Sequence, residues 1–367
     1  MEGNRHVWHA FLLPIISVSF IIGILCARFI ALNVVGASAI IFGSILWARR
    51  SLDWWIVIVF AFFGGVVRAH FPWMPSIYNP FEHFRSHFDS VLKKFFSGPE
   101  LTLLSGILFG GSQGFTKQWR TIFVTTGTMH IIAVSGSNLS FYVRWLGLLL
   151  KNFCVQAHRR LYITLTLLGI YIALTGAPAS VVRAGIMALL VTIAPLLGRQ
   201  TSAIHALAAA AFFMTLIDPL IARDIGFQLS CMATLGLMLF DNGKTSFARL
   251  LQETIAATIC VLPIESFYFG RISIVALIAN TLVAPFIPII MSGGLCMFVM
   301  AQLPVGLNFF YVRSLNFILH LMLHILSAAA LLPGAVARVQ ISLKGVIVCY
   351  AFFTVHIFFR YKKQCRI

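Results

Sequence analysis

The chain has 367 residues, of which 60% are hydrophobic and 10% are charged, and its mean hydropathy is +0.94. Soluble globular domains are about a quarter charged, so this composition excludes an ordinary soluble domain and indicates a membrane protein. Because 27 Lys and Arg face 10 Asp and Glu, the formal net charge is +17. Three causes fit this excess: basic cytoplasmic loops, attraction to anionic lipid headgroups and an anionic cargo such as nucleic acid.

Uncharged apolar runs of about 20 residues, the length of a membrane span, follow one another along most of the chain. They cover residues 11–27, 29–48, 54–67, 121–143, 161–182, 200–217, 225–240, 272–312 and 314–337. The pattern predicts an all-α fold, a polytopic transmembrane bundle of roughly ten to twelve helices with broken or re-entrant segments. Since another run follows the first at once, we expect the first to be retained as an anchor rather than cleaved as a signal peptide.

The basic residues that flank these runs predict an orientation and four regions. Arg5 before the first run and Arg49 and Arg50 after the second are expected on the cytoplasmic side, where basic loops concentrate. The regions are 1–71 with the N-terminal transmembrane helices, 72–99 as a short extracytoplasmic connector, 100–340 as the main membrane domain, and 341–367 with the last transmembrane helix and a basic tail. The connector is too short for a substantial extra domain.

Small polar residues at 135–138 interrupt the apolar run that begins at 121. We expect one helix to end near Gly136 and the next to be capped by Ser137 or Asn138, whose side chains accept hydrogen bonds from free backbone N–H groups. The positive N-terminus of that helix would lie at membrane depth, where broken helices bind anions, and Arg144 follows within two turns. The alternative is a helix kinked at glycine, with small residues that allow close packing.

A second interruption covers residues 175–180, where Pro178 suits the first turn of a new helix. Arg183 follows about one turn later, between two apolar stretches. Ionisable residues at membrane depth usually face the bundle interior or a water-filled path, so Arg183 is a candidate functional residue. The alternative is a structural ion pair with one of three acidic residues, Asp218, Asp224 or Glu265.

Polar residues also mark two later helix boundaries. Asp224 precedes the helix that carries Gln228 and Ser230, which predicts an N-cap in a tight turn; the turn also contains Asp218 and Gly226. Gln228 and Ser230 either line a path or hydrogen-bond across helices.

The last boundary lies between residues 265 and 280. Tyr268 and Phe269 resemble an interfacial aromatic belt, and Gly270 follows them. Asn280 is surrounded in sequence by Ile, Ala, Leu and Val. A buried amide must find partners, so Asn280 either joins two helices or faces water.

Enzyme motifs are incomplete. His130 and Ser135 suggest a serine hydrolase, but the G-x-S-x-G elbow is absent. His320 and His324 have the spacing of H-E-x-x-H, yet leucine stands at the glutamate position, and the P-loop-like residues 243–245 lack the first glycine of that motif. The sequence therefore predicts no catalytic residues, no metal site and no cofactor.

Several of these segments, in chain order, resemble the core of the ComEC-type competence proteins, the DNA-uptake channels of bacteria. The matching stretches are LSGILFGGSQ at 104–113, TGTMHIIAVSGSN at 126–138, TGAPASVVRA at 175–184, DP at 218–219, DIGFQLS at 224–230 and YFG at 268–270 with Asn280. The likeness covers roughly residues 100 to 300. Any one motif is weak, but several in the same order are specific.

The resemblance implies a multi-pass protein of the bacterial cytoplasmic membrane that passes single-stranded DNA during natural transformation, with residues 100–340 as a competence-type channel domain. Implied partners are an extracytoplasmic DNA receptor, a cytoplasmic ATP-driven DNA translocase and membrane lipids; a separate nuclease and a second copy of the chain remain open. Longer relatives carry an OB-like domain and a metallo-β-lactamase-like domain. We expect neither here, hence a channel core that is not an enzyme. Asn138 also stands where the family often has histidine.

The DNA path is expected to be lined by His130, Ser135, Gly136, Asn138, Arg144, Arg183, Gln228, Ser230 and Asn280. Structural turn or ion-pair roles are expected for Asp218, Asp224, Gly226, Glu265, Tyr268 and Gly270. The alternatives are a transporter of small molecules or lipid-linked intermediates, a membrane-embedded serine hydrolase acting through Ser135, and a non-catalytic scaffold.

Overall fold

A computed structural model describes residues 3–26, 82–111, 114–194, 202–240, 247–301 and 305–364, together with positions 61–62, 65–66, 69 and 198. The predicted span at 29–48, most of the one at 54–67 and the first part of the predicted connector lie outside the described residues. The same holds for Arg49 and Arg50, on which part of the predicted orientation depends.

The protein is mostly helical, in agreement with the all-α prediction. Its described α-helices are α1 (Gly3–Cys26), α2 (Glu82–Leu92), α3 (Gly98–Phe109), α4 (Lys117–Thr125), α5 (Met129–Ile132), α6 (Gly136–Asn152), α7 (Ala157–Leu174), α8 (Ala179–Ile193), α9 (Ala203–Ile217), α10 (Ile225–Phe240), α11 (Phe247–Phe269), α12 (Ala276–Val283), α13 (Phe286–Met300), α14 (Val305–Ala330) and α15 (Leu343–Gln364). A 3-10 helix covers Pro219–Arg223. Strands β1 (Ile272–Ser273) and β2 (Val336–Ala337) pair in antiparallel fashion.

Most of the described helices are shorter than a straight membrane span. Within the described ranges, one stretch, Asn308–Ala330 in α14, is long and apolar enough to cross a membrane alone. A second candidate is the pair Ala276–Val283 and Phe286–Met297, which is bent by 44°. Several other apolar helices have 10–17 residues, less than the roughly 20 that a straight span requires. The bundle of ten to twelve spans stays a prediction.

The apolar runs are more broken than their hydropathy indicates. Residues 121–143 fall in three helices, α4, α5 and α6, with one break at Gly127, whose φ is +66°, and another at 133–135. The backbone at the Gly127 break is left-handed, a conformation that glycine adopts without steric penalty. The run is therefore not one continuous helix.

The described residues fall in two compact units. The first contains Met1–Tyr78 and Val182–Cys231. In it α1 packs along α9, with the rings of Phe20 and Phe212 at 4.9 Å between centroids. Phe20, Ile24 and Ala222 form a small buried cluster that holds the 3-10 helix against α1.

The second unit contains Asn79–Val181 and Met232–Ile367 and holds the larger core. Helices α3, α13 and α14 pack around Leu104, Leu108 and Met291, all of them fully buried. A Cβ atom on Gly294 would lie 2.7 Å from Leu108 Cδ1, so glycine allows α13 to approach α3 closely. Close packing of this kind is what joins helices in a lipid environment, where burial of apolar surface gives little net drive.

Part of the predicted connector also belongs to this core. Residues 82–92 form α2, and its apolar face is buried through Phe88 and Leu92. Phe88 meets Phe109 of α3 edge to face at 5.1 Å between ring centroids. The polar composition of the segment hides this face because polar and charged residues stand between the apolar ones in the sequence.

Candidate functional site

The break between α5 and α6 has the broken-helix geometry expected from the sequence, with a shifted boundary. Helix α5 ends at Ile132, the backbone is extended at Ala133 and Ser135, and α6 begins at Gly136. Ser135 is the N-cap residue, with φ −108° and ψ 162°. The expected helix end near Gly136 is therefore wrong by four residues, and the expected cap at Ser137 or Asn138 is wrong by two or three, because the chain becomes extended before the glycine.

The side chain of Ser135 does not cap the helix. Its hydroxyl lies 2.5 Å from Ser137 Oγ and donates to Asn138 Oδ1 at 3.0 Å. The backbone N–H groups of Asn138 and Leu139 donate to the Ser135 carbonyl. The first N–H groups of a helix have no partner within it, and among the described residues those of Gly136 and Ser137 have no acceptor. Two donors at the positive end of α6 are therefore available to a ligand.

The second predicted break lies beside the first. Helix α7 ends at Leu174, and α8 begins at Ala179. The hydroxyl of Ser180, in the first turn of α8, donates to the carbonyl of Val134 at 2.9 Å. This bond joins the start of one helix to the extended segment that precedes the other. We call the extended segment 133–135, the first turn of α6 and residues 179–180 the junction.

The turn that leads into α8 contains an unfavourable backbone conformation. Gly176 has φ +77°, and the following Ala177 has φ +51°. The left-handed region costs an alanine roughly 1–2 kcal/mol, and it persists only where the surroundings impose it. Here the Ala177 N–H donates to the Ile172 carbonyl and closes the end of α7. Pro178 and the first turn of α8, which carries Ser180, follow directly.

The C-terminus of α3 forms the opposite wall of the junction. The last carbonyls of a helix lack partners within it, and here side chains from three other helices supply donors. The bonds are Asn138 Nδ2 to Ile107 O at 3.2 Å, Tyr171 OH to Leu108 O at 3.3 Å and Arg85 Nη2 to Gly110 O at 2.7 Å. Asn138 is buried and holds the first turn of α6 against α3.

Two residues at this wall were not expected from the sequence. Arg85 places a cation at the negative end of α3, where the helix dipole favours it; in sequence it is one of several charges in a polar segment. Gly110 has φ +83°, and a Cβ atom there would lie 3.1 Å from Val134 Cγ2. A glycine in the run LFGGS is the only sequence sign of this close approach.

A buried hydroxyl near this wall has no partner among the described residues. The Tyr142 OH on α6 is buried without a hydrogen bond, and its ring meets that of Tyr171 at 4.5 Å between centroids. Buried polar groups normally have a partner, so such a group indicates a place for water or a ligand. The amide oxygen of Asn280 on α12 is in the same condition.

Arg183 lies in the first unit and is buried, with 4% of its surface exposed. It donates from Nη1 to the carbonyl of Ser230, and its guanidinium lies beside the Cys231 side chain. The structure thus brings together two of the expected path residues, Arg183 and Ser230. Arg144 differs, because its position on α6 is exposed.

The acidic residues near α10 are engaged with backbone groups. Asp218 Oδ1 accepts from Leu220 N at 2.9 Å, and Asp224 Oδ1 accepts from Phe227 N at 2.6 Å. These are N-cap contacts, which satisfy otherwise free helix donors. Gly226 leaves room for the cap, since a Cβ there would lie 3.1 Å from Asp224 Oδ1. The same turn is held by Gln228.

Gln228 Nε2 donates to the Ala222 carbonyl at 2.9 Å. The side-chain amide therefore joins the start of α10 to the 3-10 helix before it. Glu265 is half-buried on α11, and Tyr268 near its end is 41% exposed. Gly270 follows with φ +62°, the left-handed conformation that commonly ends helices.

The segment after Gly270 contacts the turn before α5. Ser273 Oγ donates to the Thr125 carbonyl at 2.6 Å, and a Cβ on Gly127 would lie 2.7 Å from that of Ala276. His130, just beyond this turn, is exposed and has its Nδ1 at 3.1 Å from the Gly127 carbonyl. Two of the motif stretches, far apart in sequence, therefore pack together in the second unit.

A polar stripe on α14 extends the histidine pair that the sequence shows. Arg313, Asn316, His320 and His324 are exposed, and their spacing of three, four and four residues places them on one helix face. The spacing of the four residues is visible in the sequence, although each of them stands alone among apolar neighbours. Polar residues on a span-length helix are expensive in lipid and usually face water or a partner.

Most of the chain matches a known protein family. Residues 107–363 match the family described as Competence protein. ComE operon protein 3 of Bacillus subtilis (strain 168) is 27% identical over 170 residues, which cover 45% of this chain and 22% of that relative. The match therefore spans less than a quarter of the relative's length. No solved structure matches the chain. Because the family match includes most of the chain and both helix breaks, the chain belongs to the ComEC-type competence protein family.

Proposed function

We propose that this chain is the core of a channel that passes single-stranded DNA across the bacterial cytoplasmic membrane during natural transformation. The observation that carries the proposal is the junction, where two helix starts meet and the N–H groups of Gly136 and Ser137 point to no acceptor among the described residues. Family membership supports the same substrate class.

The chemistry of the junction suits passing phosphates. The N-terminus of a helix carries about half a positive charge and free N–H donors, so it binds anions without a basic side chain. Broken helices in membrane transporters use their N-termini in this way. A conducting site must also release its cargo, and a helix end without basic side chains binds phosphate less firmly than a cluster of arginines would.

Within this proposal the expected path residues take two roles. Ser135, Ser137 and the Gly136 N–H would contact the strand, whereas Asn138 and Ser180 position the helix starts through their bonds to Ile107 and Val134. The remaining proposed path residues are His130, Arg144, Arg183, Gln228, Ser230 and Asn280. Arg183 and Arg144 would supply the positive charge that attracts phosphates.

The membrane context is also part of the proposal. We infer a multi-pass arrangement in which α14 is one span, with a DNA receptor on the outer side and an ATP-driven translocase on the cytoplasmic side. A transporter of small solutes would use broken helices equally well. A hydrolase has less support, because the Ser135 hydroxyl bonds Ser137 and Asn138 rather than an imidazole.

One pair of substitutions at Gly136 tests the role of the junction. Gly136→Pro removes the N–H donor, and proline suits this position because it is the first of the helix and the preceding Ser135 is extended. Gly136→Ala keeps the donor and is the matched control. Loss of one hydrogen bond to a charged group corresponds to about 1.5–3 kcal/mol, so we expect DNA uptake to fall about ten- to hundredfold in the proline variant only.

The measurement is entry of labelled DNA into cells, with membrane abundance of each variant determined in parallel. Equal uptake by the proline and alanine variants, at equal abundance, would refute a role for this N–H group. The transporter alternative would be favoured by a different result: uptake of a small solute in the absence of DNA that is lost when the Gly136 N–H is removed.

A further inference from the structure

Two histidines and a carboxylate form a hydrogen-bonded series on the surface of the second unit. His320 and His324 occupy adjacent turns of α14, and their Nε2 atoms are 3.0 Å apart. On the far side of the first ring, His320 Nδ1 lies 3.0 Å from Glu100 Oε1 in the first turn of α3. The His320 side chain is 59% exposed, whereas that of Glu100 is 18% exposed.

The carboxylate determines which nitrogen of His320 is available. A carboxylate accepts hydrogen bonds, so Nδ1 of His320 must carry the proton, and in the neutral ring Nε2 then has a free lone pair. That lone pair points to His324. A histidine that donates its other N–H to a carboxylate is the usual arrangement around protein-bound metals, because the carboxylate orients the ring and raises its basicity.

The separation of the two nitrogens also suits a shared metal ion. Zinc–nitrogen bonds are 2.0–2.1 Å long, and two such bonds at a tetrahedral angle place the nitrogens about 3.3 Å apart. The observed 3.0 Å needs only a small rotation of one ring. Spacing of four residues on a helix keeps both side chains on one face.

We propose that His320 and His324 bind a divalent transition-metal ion of the zinc, nickel or copper class through their Nε2 atoms. Imidazole nitrogen is a ligand that all three ions accept well. Glu100 is a positioning residue that orients His320 and does not touch the metal. The ion takes the place of the proton shared between the two rings, and neutral His324 then carries its proton on Nδ1.

The remaining coordination positions are open. Among the described residues no three His, Cys, Asp or Glu side chains converge on one point, so water completes the coordination shell of the ion. The large exposed fraction of His320 leaves room for this. Binding by two protein ligands is weaker than in a closed structural site, and it allows an oxygen or nitrogen ligand from another molecule to replace a water.

The proposal is tested by titrating the full chain with Zn²⁺. The protein is purified in detergent, without a histidine tag and without DNA. We expect each chain to have one Zn²⁺ site that is tighter than all others. His320→Ala or His324→Ala should weaken it at least tenfold, and Glu100→Gln should weaken it by about 10- to 100-fold, as for other outer carboxylates. With Cu²⁺ as the probe, electron paramagnetic resonance should show two nitrogen ligands.

A matched control is provided by His83 and His87, which have the same spacing and are exposed on α2. The double variant His83→Ala, His87→Ala should retain the tightest Zn²⁺ site. The proposal is wrong if the variants at His320 and His324 bind Zn²⁺ as tightly as the unaltered chain while circular dichroism shows that they are folded. Loss of the site in the α2 control instead would also overturn it. Since DNA is absent, neither result bears on the channel proposal.

Discussion

Arg183 has a bond within the fold and a proposed role in the DNA path. It is buried, its Nη1 donates to the Ser230 carbonyl, and the carboxylates of Asp218 and Asp224 accept from backbone N–H groups nearby in sequence. A buried cation is expensive unless polar groups surround it. Arg183 could be predicted as a candidate from the sequence, because a charge inside an apolar run is conspicuous. Its carbonyl partner, 47 residues away, could not be predicted from local sequence.

Replacement of Arg183 separates its two roles. Arg183→Gln removes the charge and keeps a donor that can reach a carbonyl, so we expect the protein to insert and fold while DNA uptake falls at least tenfold. Arg183→Lys keeps the charge and should retain more uptake than the glutamine variant. Uptake of labelled DNA and membrane abundance are measured together. A parallel fall of both quantities would indicate that Arg183 acts only in folding.

At the scale of elements, both helix breaks were predictable and the contacts that join them were not. Gly136, Pro178 and their small polar neighbours interrupt apolar runs, which local residue preferences detect. Local preference does not show that Ser180 bonds Val134, 46 residues earlier, or that Ser273 bonds Thr125, 148 residues earlier. The observed N-cap of α6 lies earlier than the predicted one because the extended conformation begins at Ala133.

Arg85 provides a test of how the junction is supported. Its bond to the Gly110 carbonyl closes the C-terminus of α3, and a charged donor at such an end contributes on the order of 1–2 kcal/mol. Arg85→Ala should therefore lower the thermal unfolding midpoint of the purified protein. Lys94→Ala, which removes an exposed cation near the end of α2, should leave it unchanged. Equal midpoints for the two variants would show that the bond does not stabilise the fold.

At the scale of the whole molecule, composition predicts a membrane protein and hydropathy predicts more spans than helix length alone supports. One described stretch meets the length criterion by itself, and a second arises only if α12 and α13 count as one bent span. Hydropathy cannot distinguish a straight span from two shorter helices that meet at an angle, because both bury the same residues. The +17 net charge fits orientation as well as cargo, so it does not identify the substrate.

Labelling of cysteines tests the predicted orientation. Cys154 is exposed in the turn between α6 and α7, next to Lys151 and Arg159, where the basic residues predict a cytoplasmic loop. In a variant that keeps only this cysteine, a membrane-impermeant thiol reagent should react after permeabilisation and not in intact cells. A cysteine placed instead at exposed position 86 of α2 should react in intact cells. The reverse pattern would invert the topology.

We propose that the chain passes DNA into the cell, and loss of the gene tests this function most directly. In a competent strain with no second copy, we predict that deletion abolishes transformation by added DNA and the appearance of labelled DNA in the cytoplasm, while DNA still binds to the cell surface. Return of the intact gene should restore both. Unchanged transformation in the deleted strain would contradict the channel function.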